Sequence, residues 1–365
     1  MQPELLPHGA RILIIRLSSI GDVLHATSVT QNLKRLCPDC HITWLASPPA
    51  SELLRNNPDI DKLLLWDRRP FDAASAHLRI GKMLSLLKRA RHLMRVQVYD
   101  IVLDIQCLFL TGILARLSGG KRRIGIHELH EGNRFFMTEI APATKSPHKI
   151  RHYMTALSPL GIDASDFRPG TVLRLPEKYQ AFAENFWKKE SVLCSKAAPP
   201  ILLVAIQTTW KNKQPRPAVF AQALAPIAEK AQVIFIGNTN DAPVIDTCLK
   251  IMRDLGTTGA KSIAGKTNLL ELAALMKKSD LLLCCDSGPL YIAEAVGLPT
   301  LSLWGPTLPN FYGPLTPGHA FLLSPYSCTA CCQAKCRYET NRCIEAIHAE
   351  RITRALIGLL DAGNL

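Results

Sequence analysis

Short apolar runs alternate along the chain with stretches whose apolar positions recur every three or four residues. Residues 11–17 (RILIIRL) are such a run; the polar turn Ser18-Ser19-Ile20-Gly21-Asp22 follows, then a helix with Ala26, Val29, Leu33 and Leu36 on one face. Further strands are predicted at 42–46, 63–66, 101–105 and 123–126, and one long helix over 76–97 with Met83, Leu87, Ala90 and Met94 in register. Residues 165–200, Pro-rich around a helix at about 177–190, read as the interdomain region. A second set follows: strands at 201–207 and 233–238, a helix ending near 230, one opened by Asp241 and one at 268–279. A tail helix runs from Cys343 to about Asp361. Strands alternating with helices predict an α/β protein with parallel, doubly wound sheets.

Residues 281–305 carry the densest chemistry: a buried strand, the turn Asp286-Ser287-Gly288-Pro289, a helix through Val296 and a second buried strand. Gly288 lets a ligand approach the backbone, and Pro289 suits the first turn of a helix. The amides and dipole of that helix start suit a phosphate. Asp286 and Ser287 stand at the carboxyl end of the strand, where open α/β sheets bind ligands. An ordinary capped turn would look the same in isolation, but the similar loop near residue 20 makes two of them. There Gly21 permits the tight turn, and Asp22 stands where the loop meets the helix, as a helix cap at the least. Neither loop carries the G-x-G-x-x-G of dinucleotide folds.

Composition narrows the partners. The chain has 365 residues, enough for two domains, and 47% are hydrophobic against 20% charged, which excludes a disordered protein. A formal net charge of +13 calls for an anionic partner, and an aromatic content of 6% argues against nucleic acid. The segment 76–97 holds Arg79, Lys82, Lys88, Arg89, Arg91 and Arg95 without an acid, with Arg68-Arg69 before it and Lys121-Arg122-Arg123 after. This is either a solvated helix face or a surface for anionic lipid or a phosphorylated glycolipid. The N-terminus, MQPELLPHGA, shows no secretory signal, and no apolar run reaches the ~20 residues of a spanning helix. A cytoplasmic location is expected.

The pair IIRLSSIGDVLHATSV and DSGPLYIAEAVGLPTLSLWGPT resembles the family 9 glycosyltransferases, typified by the ADP-heptose:lipopolysaccharide heptosyltransferases, over about residues 10–360. The resemblance implies a GT-B fold, with two Rossmann-like doubly wound domains facing a central cleft. The acceptor domain would cover 1–170, the nucleotide-sugar domain 171–345, and a tail helix at 346–365 would pack back toward the first. It implies an inverting transfer of a sugar, heptose from ADP-heptose foremost, onto a lipopolysaccharide core or related lipid-linked anionic glycan, with no catalytic metal. The enzyme would work at the inner face of the cytoplasmic membrane as a peripheral protein.

The same resemblance distributes roles. Asp22 would be the base that takes the acceptor proton, with Gly21, Arg68, Arg69, Arg122 and Arg123 on the acceptor side. Lys213 would hold the leaving diphosphate, helped by hydroxyls of Thr208 and Thr209 and by the backbone of Ser287, Gly288, Pro289 and Leu290 beside Asp286. Asp241 would take the ribose. The chain departs from the family pattern at Tyr291, where histidine is common, and at Gln207-Thr208, where many members have Pro-Gly. These departures keep a second reading open, a GT-B enzyme using another nucleotide-sugar for a different surface glycan. A dinucleotide-dependent oxidoreductase ranks below it for lack of the glycine fingerprint.

Five of the twelve cysteines crowd into residues 328–343. Cys328, Cys331, Cys336 and Cys343 have the spacing C-x2-C-x4-C-x6-C, with Cys332 as a spare ligand, and suit a structural zinc or iron. Free thiols are the plain alternative, and disulfides are disfavoured in a reducing compartment.

Overall fold

The run Arg11–Ile15 (β1) is buried at every position after Arg11. A parallel strand covered on both faces has no solvent side, so its sequence is apolar throughout. Successive side chains enter two layers: Ile12 and Ile14 join one apolar cluster, Leu13 and Ile15 another.

The computed structural model describes residues 6–163, 166–194, 198–326, 328–338 and 340–362. The chain forms two units, 1–174 and 175–365. Parts of the N-terminal decapeptide and of the 165–200 segment lie outside the described residues.

In the first unit, β1 pairs in parallel with His41–Ala46 (β2) and Ile101–Asp104 (β4); Lys62–Leu65 (β3), Arg122–Gly125 (β5) and Glu139–Ile140 (β6) complete the order β3-β2-β1-β4-β5-β6. Its helices are Ile20–Leu36 (α1), Arg69–Ala76 (α2), Ile80–Met94 (α3), Phe109–Ser118 (α4) and Lys149–Met154 (α5). The helix expected over 76–97 is α3, shorter at both ends, with α2 a separate helix before it. Leu78 turns left-handed at φ 51° between them, and only α3 continues the buried register with Leu86, Ala90 and Met94.

The second unit contains Ile201–Ala205 (β7), Gln232–Phe235 (β8), Lys261–Ser262 (β9), Leu281–Cys285 (β10), Thr300–Trp304 (β11) and His319–Leu323 (β12), ordered β12-β11-β10-β7-β8-β9. Its helices are Lys178–Lys189 (α6), Pro217–Leu224 (α7), Ala242–Asp254 (α8), Leu269–Met276 (α9), Gly288–Val296 (α10), Pro309–Tyr312 (α11), Arg342–Glu345 (α12) and Ala349–Ala362 (α13). Read from its own first strand, this is the same topology as in the first unit: both are Rossmann-like and doubly wound.

Two expectations change here. The helix read as interdomain, α6, packs on α9 and buries Trp187, so it is part of the second unit. The tail, expected to return to the N-terminal domain, breaks after α12. Its main helix α13 packs on α7, with Ile352, Leu356 and Leu360 in the core of the second unit. Its strongly one-sided apolar face finds a partner there.

Candidate active site

In doubly wound sheets the order reverses between the first strand and the fourth, and the loops leaving those two strands splay apart into a ligand crevice. In the first unit that point lies between β1 and β4. The loop after β1 begins α1, and Asp22 occupies its first turn. One Asp22 oxygen, Oδ2, accepts from Ser19 Oγ at 2.9 Å and pairs with the Arg16 guanidinium at 2.7 Å; the other, Oδ1, accepts from Tyr153 OH at 2.6 Å. Arg16 also lies over the Tyr153 ring, 4.9 Å from its centroid, and donates to the carbonyl of Ile105 beyond β4 at 2.9 Å. Across the switch point, Leu17 N–H donates to Gln106 Oε1 at 2.7 Å. The loop carrying Asp22 is therefore tied to both strands.

Burial alone would push the Asp22 carboxyl up. The Arg16 charge and the hydrogen bonds from Tyr153 and Ser19 outweigh it and hold the group well below the usual carboxylate range. The helix cap expected at Asp22 is Ser19 instead; Asp22 stands three residues on and accepts from Ser19 N–H at 3.3 Å, an anion fixed at the carboxyl edge of the sheet and a weak proton acceptor.

The corresponding point of the second unit lies between β7 and β10. Lys213, in the loop after β7, reaches Asp286 after β10: Nζ to Oδ2 is 2.6 Å, and the ammonium lies 4.4 Å from the centre of the Trp210 ring. Thr307 Oγ1 donates to the same oxygen at 2.7 Å, and Tyr291 OH donates to Oδ1 at 2.5 Å. Asp286 is buried, so this carboxylate organises the site rather than facing solvent. Ser287 is the cap of α10. Of the four amides expected to hold a pyrophosphate, Pro289 has none, and Leu290 N–H is turned back to Ser287 O at 3.0 Å. That leaves Ser287 and Gly288 to offer N–H groups at this helix start.

The remaining candidates separate by their place on the sheets. Gly21 is buried in the first turn of α1, beside Asp22. Arg68 and Arg69 follow β3 at the carboxyl edge of the first sheet, paired with Asp72 and Asp67 at the surface. Arg122 and Arg123 instead begin β5, at the amino edge. Arg122 holds Glu139 through two 2.8 Å bonds, and Arg123 donates to the carbonyls of Phe136 and Gly120. The geometry makes these two arginines internal ties, away from Asp22. Thr208 closes its own turn, donating to Trp210 O at 2.5 Å, and Thr209 is exposed. Asp241 lies past β8, where it accepts from Asn238 N–H at 2.8 Å and packs against Gly237.

Among the described residues no group of three or more Cys, His, Asp or Glu is gathered closely enough to hold a metal ion. Cys328, Cys331, Cys336 and Cys343 nonetheless share one neighbourhood. Burial pushes the Cys343 thiol up to about 11, and the charges of the other three act in the same direction. Their loop braces the switch-point residues of the second unit. Ala330 and Cys332, both left-handed, donate to Gly305 O and Pro306 O at 3.2 and 2.8 Å, just before Thr307. Asn212, next to Lys213, donates to Gln333 O at 2.8 Å.

Sequence reasoning missed Arg16, Ser19, Tyr153 and Thr307. Arg16 left a signal, a charge closing an otherwise apolar run, and Thr307 stood in the Gly-Pro-Thr of the second motif. Tyr153 left none, because it reaches Asp22 from 131 residues away.

Two doubly wound units, one with an anionic residue and one with a lysine and a helix start at their switch points, define a GT-B glycosyltransferase. The chain belongs to glycosyltransferase family 9 (heptosyltransferase), whose pattern matches residues 87–341. It is 27% identical over 297 residues to the lipopolysaccharide core heptosyltransferase OpsX of Haemophilus influenzae, covering 80% of this chain and 78% of that protein. The fold is shared with the family 9 glycosyl transferase of Veillonella parvula, at a TM-score of 0.78 and 24% identity over 99% of both chains. The E. coli heptosyltransferase WaaC, solved with ADP, superposes with a TM-score of 0.72 at 16% identity, covering 96% of this chain and 99% of that one.

Proposed function

We propose that this enzyme transfers heptose from ADP-heptose to a lipid-linked anionic glycan, the core of lipopolysaccharide, with inversion and without a catalytic metal. The observation that carries this reading is the pair of switch-point sites: an ionised Asp22 in one unit, and Lys213 with the start of α10 in the other. The relatives named for lipopolysaccharide heptose transfer support the choice of sugar and acceptor. Inversion needs one base on the acceptor hydroxyl as the oxygen attacks the sugar carbon and the diphosphate leaves. Asp22 takes that proton. Because Arg16, Tyr153 and Ser19 stabilise its anion, it is a weak base, and the proton moves late, after the hydroxyl oxygen has begun to bond. Lys213 and the amides of Ser287 and Gly288 receive the charge building on the leaving diphosphate. Arg68 and Arg69, at the carboxyl edge of the first sheet, face the acceptor's anionic groups, and Asp241 takes the ribose. The reaction takes place on the cytoplasmic face of the inner membrane.

Thermal shift with ADP-heptose, UDP-sugars and GDP-sugars tests the donor. A ligand of the native state at 100 times its Kd adds about 2.7 kcal/mol, which raises Tm by several degrees. ADP-heptose is expected to do so; stabilisation by a UDP- or GDP-sugar alone would transfer the assignment to another nucleotide-sugar.

The cysteine loop is read as a structural zinc or iron site that closes when the metal is supplied, stiffening the brace on Asn212 and Thr307. Four thiolates satisfy a tetrahedral ion, and the metal's chemistry there is structural. Elemental analysis of protein purified without added metal is expected to find close to one atom per chain, and stripping that metal should weaken nucleotide binding. Less than about a tenth of an atom, with four freely titrating thiols, would remove the site.

A further inference from the structure

The connection between α2 and α3 displays apolar side chains that the core does not use. Leu78, Ile80 and Leu84 are 83, 67 and 61% exposed. Leu78 adopts φ 51°, a region that bulky side chains avoid, and this conformation puts the leucine at the tip of the turn. Beyond it, Ile80, Leu84, Lys88 and Arg91 lie along one stripe of α3, Lys82 and Arg89 lie on the other flank of its outer side, and Arg79 precedes its first turn, all exposed. At the far end Val96 and Val98 are also more than half exposed. No Asp or Glu occurs between residues 73 and 99. The buried side of α3, Leu86, Ala90 and Met94, belongs to the core, so the outer side is not held by internal packing.

We infer that this outer face of the α2–α3 hairpin docks on an anionic lipid bilayer, the tip leucine and isoleucine entering the headgroup layer and the cations resting on lipid phosphates. This rests on the assignment of a lipid-linked acceptor and names the surface that brings the enzyme to it. The mixture of side chains selects the occupant. Exposed leucines gain nothing from a nucleic acid, whose unpaired bases would call for stacking aromatics, and residues 73–98 contain no Phe, Tyr or Trp. An interfacial helix needs what is present here, apolar tips amid lysine and arginine. No helix among the described residues is long and apolar enough to cross a membrane, so attachment of this kind is shallow and reversible.

Co-sedimentation of the full chain with vesicles tests it. Vesicles of phosphatidylglycerol in phosphatidylcholine should bind the protein at least about tenfold more tightly than phosphatidylcholine alone, and raised salt should weaken the binding. Lys82→Gln, Lys88→Gln and Arg89→Gln together should lower partition about a hundredfold, at roughly fivefold per cation. Leu78→Asn with Ile80→Ser, where asparagine tolerates the left-handed turn, should lower it about tenfold while keeping the salt dependence. All five positions are exposed, so unchanged Tm is expected and is the check on folding. Equal partition onto both vesicle types, or wild-type partition by both variants, would overturn the inference. So would tighter retention on single-stranded RNA than on vesicles, lost in the charge variant. Transfer to a delipidated, water-soluble acceptor reads the reaction separately. Wild-type transfer without vesicle binding refutes the surface alone, whereas vesicle binding without transfer refutes the acceptor assignment and leaves the lipid surface standing.

Discussion

Asp22→Asn lowers turnover at saturating donor by about a hundredfold or more, the usual worth of a general base, and leaves nucleotide-sugar affinity near wild type. The amide keeps the shape of the carboxyl but cannot accept the acceptor proton. Single-turnover rates and nucleotide titration separate the two effects. Turnover close to wild type would reduce Asp22 to the capping-box partner of Ser19, whose N–H it accepts at 3.3 Å. The variant also leaves Arg16 without its counter-ion. Removing one member of a buried pair costs about 3–5 kcal/mol; Asp22 is 27% exposed on its side chain, so a smaller loss of stability is expected.

The pH dependence follows from the same contacts. The folded Asp22 carboxyl lies below its unfolded value, near 3.9. The group binds fewer protons folded than unfolded, so its contribution to stability is fully present above about pH 5 and fades as pH falls through and below the unfolded value. By the same sign, Asp22 is ionised throughout the range from about pH 5 to 8, and kcat/KM shows no acid limb from it there. Tyr153→Phe removes the 2.6 Å hydrogen bond to Oδ1 and raises that carboxyl, which makes Asp22 a stronger base but a less firmly oriented one. An upward move of any acid limb in this variant, measured as kcat/KM against pH, is the expected sign; an acid limb near pH 6 in the wild type would mean that another group carries the proton.

Lys213→Ala weakens donor binding by about ten- to a hundredfold, as expected for a charged hydrogen bond, and lowers kcat as well. The lysine meets charge that is present in the bound diphosphate and grows as it leaves. Its loss has a second consequence, visible only in the structure. Asp286 would keep its hydrogen bonds from Thr307 and Tyr291 but lose its only ion pair among the described residues, and this buried negative charge would then repel the donor. Adding Asp286→Asn to Lys213→Ala should therefore recover part of the lost affinity, and a double-mutant cycle on donor Kd measures it. A solvated loop lysine would leave affinity and rate unchanged and show no coupling to Asp286.

Periodicity determined a great deal about this protein. The strand cores 12–15, 201–205 and 281–285, and the turns that follow them, were legible because a strand buried on both faces is apolar at nearly every position. Local chemistry also carried the helix starts at Gly21-Asp22 and Ser287-Gly288-Pro289, since caps and glycines act within a few residues. Helix breaks were not legible. Nothing in 76–97 announces the turn at Leu78, because the stop is set by which positions find a core to enter. Charge was the least legible. Two arginines of one basic run, Arg122 and Arg123, became internal ties at the amino edge of a sheet, while Arg16, hidden in an apolar strand, became the partner of Asp22. The same holds for the tail, whose apolar face fits α7 as a matter of shape rather than of sequence distance. Strand order decided the rest. Only the reversal between the first and fourth strands of each sheet places Asp22 beside the Arg16–Ile105 tie, and Lys213 against Asp286, because it is there that the loops leaving neighbouring strands diverge and their polar groups meet.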